Sequence, residues 1–284
     1  MQRDLVLVYH QIRYQNIIFW RTPVAAFFTI VFPLMFLVLF TAIFGNDEIS
    51  SLGVTTAQFY APALAVFAAA SATYTNLAVT TAIARDGGIL KKIRGTPLPP
   101  WVYISGRVGS AVLIALVAVV IMLGVGAVAY GVEIIGGTLG AALVTLVVGA
   151  ATFAALGLMV AALVPNGDSA PAVANATLLP LAFVSDVFIV TEDAPNWMAA
   201  IGNFFPLKHF VAALGDAFNP TLSGSGFSWS GVSGEYAIGL HLAVMAAWGV
   251  GATIIALRYF RWDPQGSRPG GRRRTPTAGV PAGG

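Results

Sequence analysis

Cysteine is absent from these 284 residues, and charge is scarce, with Asp, Glu, Lys and Arg together making up 10% of the chain. Without cysteine there is no disulfide framework, no thiol nucleophile and no thiolate metal site. Soluble domains carry about a quarter charged residues. At less than half that level a chain of this length cannot coat a water-facing surface. The phosphate-cradling string G-x-x-x-x-G-K-[ST] is missing, as are H-E-x-x-H and paired-carboxylate motifs. The formal charge of +3 is spread over segments that flank apolar runs, not gathered on one face as nucleic-acid binding requires.

What fills the sequence instead is apolar: 57% hydrophobic residues and a mean hydropathy of +0.80. A helix needs about 20 apolar residues to cross a hydrocarbon core about 30 Å thick, at about 1.5 Å per residue. Val24–Phe44, Phe59–Ala84, Val108–Val132, Ile134–Val164 and Tyr236–Leu257 meet this without a single charged residue. In the fourth run the span itself is set at residues 139–164. A sixth run, Ala170–Thr191, is interrupted only by Asp186. Backbone polar groups in lipid must be satisfied within the segment, and no alternating barrel pattern is present, so the expectation is an all-α integral membrane protein with six transmembrane helices. The first run exceeds the roughly 7–15 residues of a secretory signal core, which makes it an uncleaved span.

Lys and Arg mark cytoplasmic segments. Fourteen of the fifteen fall in residues 1–22, in the stretch between spans two and three, or after span six; Lys208 is the exception. Both termini are therefore expected inside. Residues 1–262 form one transmembrane domain, and 263–284, rich in Pro, Gly and Arg, form a disordered basic tail. Leu5, Val8, Tyr9 and Ile12 follow helical spacing and predict an amphipathic N-terminal helix lying in the inner interface. On the outer side, Pro195 and Pro206 each open a short apolar segment, Asn196–Ile201 and Leu207–Phe218. Both are too short to cross, which predicts a re-entrant helical hairpin carrying Trp197 and His209. Ser223–Gly234 is expected to be a Gly/Ser loop.

The most informative stretch runs from Arg85 to Trp101. Ile89, Leu90 and Ile93 share one face of a short helix, while Lys91, Lys92 and Arg94 point elsewhere. Gly95 suits its C-terminal cap, and Pro97, Pro99 and Pro100 block continuation. An apolar ridge with a basic rim suits docking into a groove on a cytoplasmic partner.

The order of residues here, Asp86-Gly87-Gly88-Ile89-Leu90-Lys91-Lys92-Ile93-Arg94-Gly95-Thr96-Pro97-Leu98, resembles the permeases of type-2 ABC exporters, which serve drug-resistance, lipid and polysaccharide export. Their second cytoplasmic loop reads acidic-Gly-x-apolar-basic-x-apolar-Arg-x-Thr-Pro-Leu. The segment from Phe183 through Asp186, Pro195 and Trp197 to Phe205-Pro206-Leu207-Lys208-His209 is similar to the fifth helix and hairpin of that family. Asp186 stands where Gly is common, and Phe205 replaces the usual Asn before Pro-Leu. The resemblance implies a coupling helix at Ile89–Arg94, with Arg85, Asp86, Ile89, Leu90, Lys92, Ile93, Arg94, Thr96 and Pro97 transmitting the motion of a separate ATPase subunit. ATP and Mg would be bound by that partner, and this chain would bind no cofactor. A second permease, identical or not, would complete the unit in the cytoplasmic membrane.

For a substrate path the spans offer Tyr60, Phe67, Tyr74, Asn76, Asn175 and Asp186 and no basic residue, a lining that suits an apolar or amphiphilic cargo. The alternative is a secondary ion-coupled carrier, which places ionisable groups at mid-membrane. Its candidates are Asp186, His241 and Asp168, each toward the end of a span.

Overall fold

The computed structural model describes residues 2–49, 53–189, 195–219, 227–228, 236–260 and 262. The apolar runs become helices because nothing but the i to i+4 ladder satisfies a backbone whose side chains are nearly all apolar. In chain order, α1 is Gln2–Trp20, α2 Pro23–Phe44, α3 Thr56–Asp86, α4 Ile89–Arg94 and α5 Pro100–Tyr130. After a single 3₁₀ turn come α6 Leu139–Leu163, α7 Ala170–Phe183, α8 Asn196–Phe204, α9 Pro206–Ala217 and α10 Ile238–Tyr259. Two minimal strand pairs sit outside the helices. β1 (Glu48–Ile49) pairs antiparallel with β2 (Val54–Thr55), and β3 (Phe227–Ser228) pairs parallel with β4 (Tyr236–Ala237). The second pair takes Phe227–Ser228 out of the expected Gly/Ser loop.

Among the described residues, five helices are long and apolar enough to cross a membrane: α2, α3, α5, the unit Gly136–Leu163 containing α6, and α10. The sixth run does not form one helix. It stops as α7 at Phe183, whose 14 residues cover about 21 Å at about 1.5 Å each, short of a hydrocarbon core. The break lies at Val184–Asp186, where Asp186 adopts φ 59°, a left-handed conformation that ends a right-handed helix. The chain then turns back, with Val187 N–H donating to Ala182 O (3.3 Å). Val187 and Phe188 are buried against the bundle, so protein rather than lipid covers this non-helical backbone.

The centre of the molecule is α3. From Leu64 to Ala70 it is buried on every side, lying against α2, α5, α6 and α9. Its alanines allow this, because small side chains let helix backbones approach. The tightest approach is to Gly157 of α6, where a Cβ would lie 2.5 Å from the Tyr74 carbonyl oxygen. α3 widens into a π turn at Ser71–Thr75, as α2 does at Phe27–Val31 just before Pro33. Proline cannot donate to the ladder, so the second turn has a local cause.

The N-terminal segment is helical as expected, and α1 lies along α5. Gln11 packs on Gly106, Ile12 on Gly109, and Asn16 Nδ2 donates to Ser110 Oγ (2.9 Å). Its other face leaves Leu5, Tyr9, Tyr14, Ile17 and Trp20 exposed. α5 begins eight residues before the expected span, at Pro100, so Arg107 lies inside the helix and not in the loop. The basic tail, residues 263–284, and the last two residues of the sixth run, 190–191, lie outside the described residues.

Candidate functional site

At the end of α3, the neighbours Arg85 and Asp86 tie this helix to the end of α6. Arg85 is 2% exposed. Its Nη1 donates to Ala161 O (2.7 Å), its Nη2 to Val164 O (3.0 Å) and its Nε to Asp86 Oδ1 (2.9 Å). Asp86 Oδ2 accepts from Gly167 N–H (2.6 Å) just beyond. The last carbonyls of a helix lack intrahelical donors and carry partial negative charge, so a guanidinium there meets both needs. Arg85 and Asp86 thus form a clamp between two long helices and are not on a docking surface.

Two glycines later the chain enters α4, with Gly88 at φ 70° as its N-cap. The expected outward ridge is only partly realised. Leu90 is fully buried with Ala84 and Tyr103, backed by Ile93, Leu98, Phe260 and Trp262. Facing outward are Ile89, Lys91, Lys92 and Arg94, followed by the exposed Thr96 and Pro97. The difference is one of register. On a six-residue helix standing on α3 and α5, only one residue per turn can point straight down, and Leu90 takes that place while Ile93 is half-buried. Gly95 N–H returns to Lys91 O and Lys92 O, and Thr96 Oγ1 donates to Ile93 O (2.6 Å), which closes the helix before the prolines. The result is a short basic helix bolted by one leucine to α3, α5 and the end of α10.

At the opposite end of the bundle, α8 and α9 form the expected helical pair, starting after Pro195 and at Pro206. Trp197 is exposed. His209 is buried, its Nε2 hydrogen-bonded to Asn203 O (2.8 Å) and its Nδ1 facing His241 Nδ1 of α10 at 2.9 Å. With Nε2–H donating to a carbonyl, one of the two facing Nδ1 atoms carries a proton and the other accepts it. Both departures from the family pattern have partners here. Asp186 tolerates the left-handed backbone that favours Gly, and its carboxylate lies 3.4 Å from Lys208 Nζ. Gly202 meets the Val184 carbonyl so closely that no Cβ fits. Phe205 stacks on Trp248 (centroids 5.4 Å apart), whose Nε1 donates to Phe204 O (2.9 Å). Asp216, on α9 outside the long apolar helices, has its carboxyl pushed up to about 6 by burial.

Among the described residues, those expected to line a path lie in different surroundings. Tyr60 and Phe67 are buried core, with Phe67 and Phe36 each 5.1 Å from the Phe188 ring. Tyr74 is buried too and shares a hydrogen bond with Thr177 of α7 (2.5 Å). Asn175 lies exposed on α7, Asn76 lines a groove beside α1 and α5, and Asp186 borders a small cleft with Gln58. Three polar residues to which sequence reasoning gave no site role bond to other segments of the chain. Gln58 exchanges bonds with Glu133 (N–H to Oε1 2.7 Å, Nε2 to O 3.2 Å) and donates to Phe218 O. Asn46 bridges Tyr130 O and Ala57 N–H. Arg107 is buried within α5. Its signal was available, as a charge within an otherwise apolar helix.

Comparison with known proteins agrees with this architecture. Residues 7–218 match the ABC-2 type transporter family. The chain is 30% identical over 231 residues to the daunorubicin resistance ABC transporter permease protein DrrB1 of Streptomyces coeruleorubidus, a match covering 79% of this chain and 75% of that protein. With a family match over most of its length and a multi-pass helical architecture to go with it, the chain belongs to the ABC-2 type transporter family as a permease.

Proposed function

We propose that this permease is the membrane half of an exporter driven by a separate ATPase subunit, which docks on α4 and binds the ATP and Mg. The observation that carries this is the mounting of α4. Its exposed side offers Ile89, Lys91, Lys92 and Arg94, while Leu90 and the Arg85–Asp86 clamp fasten the same segment to α3, α5 and α6. A partner that pushed on this helix would move long helices with it, because packed cores shift as units and do not deform continuously. Six crossings, with α7 and the turned chain after it completing the fifth, put α4 and both termini on the cytoplasmic side of the cell membrane. There 14 of the 15 basic residues lie. A second permease subunit completes the unit.

The cargo is apolar or amphiphilic, a drug-like compound or a lipid. The long helices are overwhelmingly apolar, and the relative from Streptomyces coeruleorubidus is named for daunorubicin resistance. The test is to tag the C-terminus, solubilise native membranes gently and identify what co-purifies. An ATPase bearing the phosphate loop is expected with wild type and lost with Ile89→Asp. That substitution puts an acid in the first turn of an exposed helix, where it is tolerated, and leaves the buried Leu90 and the Arg85–Asp86 clamp in place. If transport in ATP-replete vesicles collapses with an ionophore and no ATPase is recovered, the protein is an ion-coupled carrier instead.

A further inference from the structure

Arg107 is a charge that the exporter reading leaves unused. It sits one to two turns into α5 and is 6% exposed. Its Nη1 donates to Tyr103 Oη (2.8 Å) and its Nη2 to Thr80 Oγ1, but its buried Nε has no acceptor. A guanidinium has five N–H donors, and no carboxylate pairs with this one among the described residues. Burying a cation without a counter-charge is costly, so something anionic completes the site.

Arg107 lines a groove of about 620 Å³ between α1, α3, α4 and α5. No Asp or Glu lines it. Around Arg107 the lining is Tyr103, Thr80 and Gln15, and apolar residues lie on both sides of it, Ile83 and Ile93 toward the loop and Leu77 and Ile114 toward the middle of the bundle. One wall is α1, whose neighbouring exposed residues Tyr14, Ile17, Ile18 and Trp20 are aromatic and aliphatic, a surface suited to lipid. A buried cation with apolar wall beside it, in a groove open along α1, suits the phosphate of a lipid whose acyl chain lies on that wall.

We infer that this groove binds an anionic phospholipid, its phosphate on Arg107 and an acyl chain against Leu77 and Ile114. The groove shares Ile89 and Thr96 with the proposed ATPase docking face, but its test reads lipid on the purified chain without any ATPase, so it stands or falls independently of the exporter reading. The test uses the purified full chain in a neutral detergent, with phosphatidylglycerol or phosphatidylcholine added and bound lipid read by native mass spectrometry. Phosphatidylglycerol is expected to be retained in preference to phosphatidylcholine. Retention should fall about tenfold in Arg107→Gln and largely survive in Arg107→Lys, since bonds between ionised groups are roughly twice as strong as neutral ones. Gln15→Glu keeps every hydrogen bond of Arg107 but sets a carboxylate at the groove, and it should lower retention similarly. If Arg107→Gln does not fold, Gln15→Glu decides. The inference is overturned if both variants hold phosphatidylglycerol as wild type does, if the two lipids bind equally, or if millimolar inorganic phosphate displaces the lipid, which would assign the site to a soluble anion.

Discussion

Leu90 and Ile89 are neighbours on α4 with opposite surroundings, and that contrast can be measured. Leu90 is fully buried, whereas Ile89 is 49% exposed. Truncating a buried leucine to alanine costs about 2–5 kcal/mol, the spread reflecting how far the site can collapse. Here the cavity opens between Ala84, Tyr103 and Phe260, on three different elements, so it closes poorly. At about 1.4 kcal/mol per factor of ten, even the lower end raises the opened population of α4 roughly 30-fold. Lys91, Lys92 and Arg94 make the segment a trypsin substrate once it opens, and cleavage tracks that population when reclosing is fast. The assay is digestion of detergent-purified protein, with the first cut located by mass. Leu90→Ala should be cut in this segment at least about 30-fold faster than wild type, and Ile89→Ala within about twofold, as for surface substitutions generally. Equal rates for Leu90→Ala and wild type, or equal acceleration by both variants, would refute the claim that Leu90 is the bolt and Ile89 the face.

Further outcomes follow from the clamp, the break after α7 and the hairpin. Arg85→Leu strands Asp86 and two helix-end carbonyls and should destabilise by about 3–5 kcal/mol, seen as a large drop in the temperature at which solubilised protein loses its monodisperse peak. Asp186→Gly relieves a left-handed residue but loses the Lys208 pair, so its thermal midpoint should stay near wild type, while Asp186→Val, β-branched at φ 59°, should fall well below both. Asp216 is expected to set a pH dependence. Because its folded pKa of about 6 exceeds the ordinary 3.8, its carboxyl contributes stability below about pH 4 that is lost as pH rises through 6. Asp216→Asn should therefore melt higher than wild type at pH 7.5 and lose that advantage at pH 4, read from thermal unfolding at both values.

Several features were legible from local pattern alone, because lipid leaves the backbone no alternative to helix. The long apolar runs from Val24, Phe59, Val108 and Tyr236 each became helices of spanning length. The hairpin starts at Pro195 and Pro206 were equally readable, since proline at a helix start is a local property. So was α4, bounded by Gly88 and Gly95. The run Ala170–Thr191 is one helix only as far as Phe183, because hydropathy reports what a segment can be surrounded by, not whether its backbone is straight. Val187 and Phe188 are as apolar as any span, yet they pack into the bundle after a left-handed turn at Asp186.

Hydropathy and residue order suffice to put this chain in a membrane, to locate most of its helices and to find the family motif at residues 85–101. Where each motif residue lies depends on packing. Leu90 lies inward and Ile89 outward by one step of helical rotation, which periodicity over six residues cannot resolve. Arg85 and Arg107 were both counted as loop charges. One proves to clamp Ala161 and Val164, and the other stands over a groove beside α1, because the partners that decide this, Ala161, Val164 and Thr80, lie 27 to 79 positions away along the chain. Charge and hydropathy are local sums. Burial and hydrogen-bond partnership arise from which helices lie side by side, and that is settled by packing across the whole bundle.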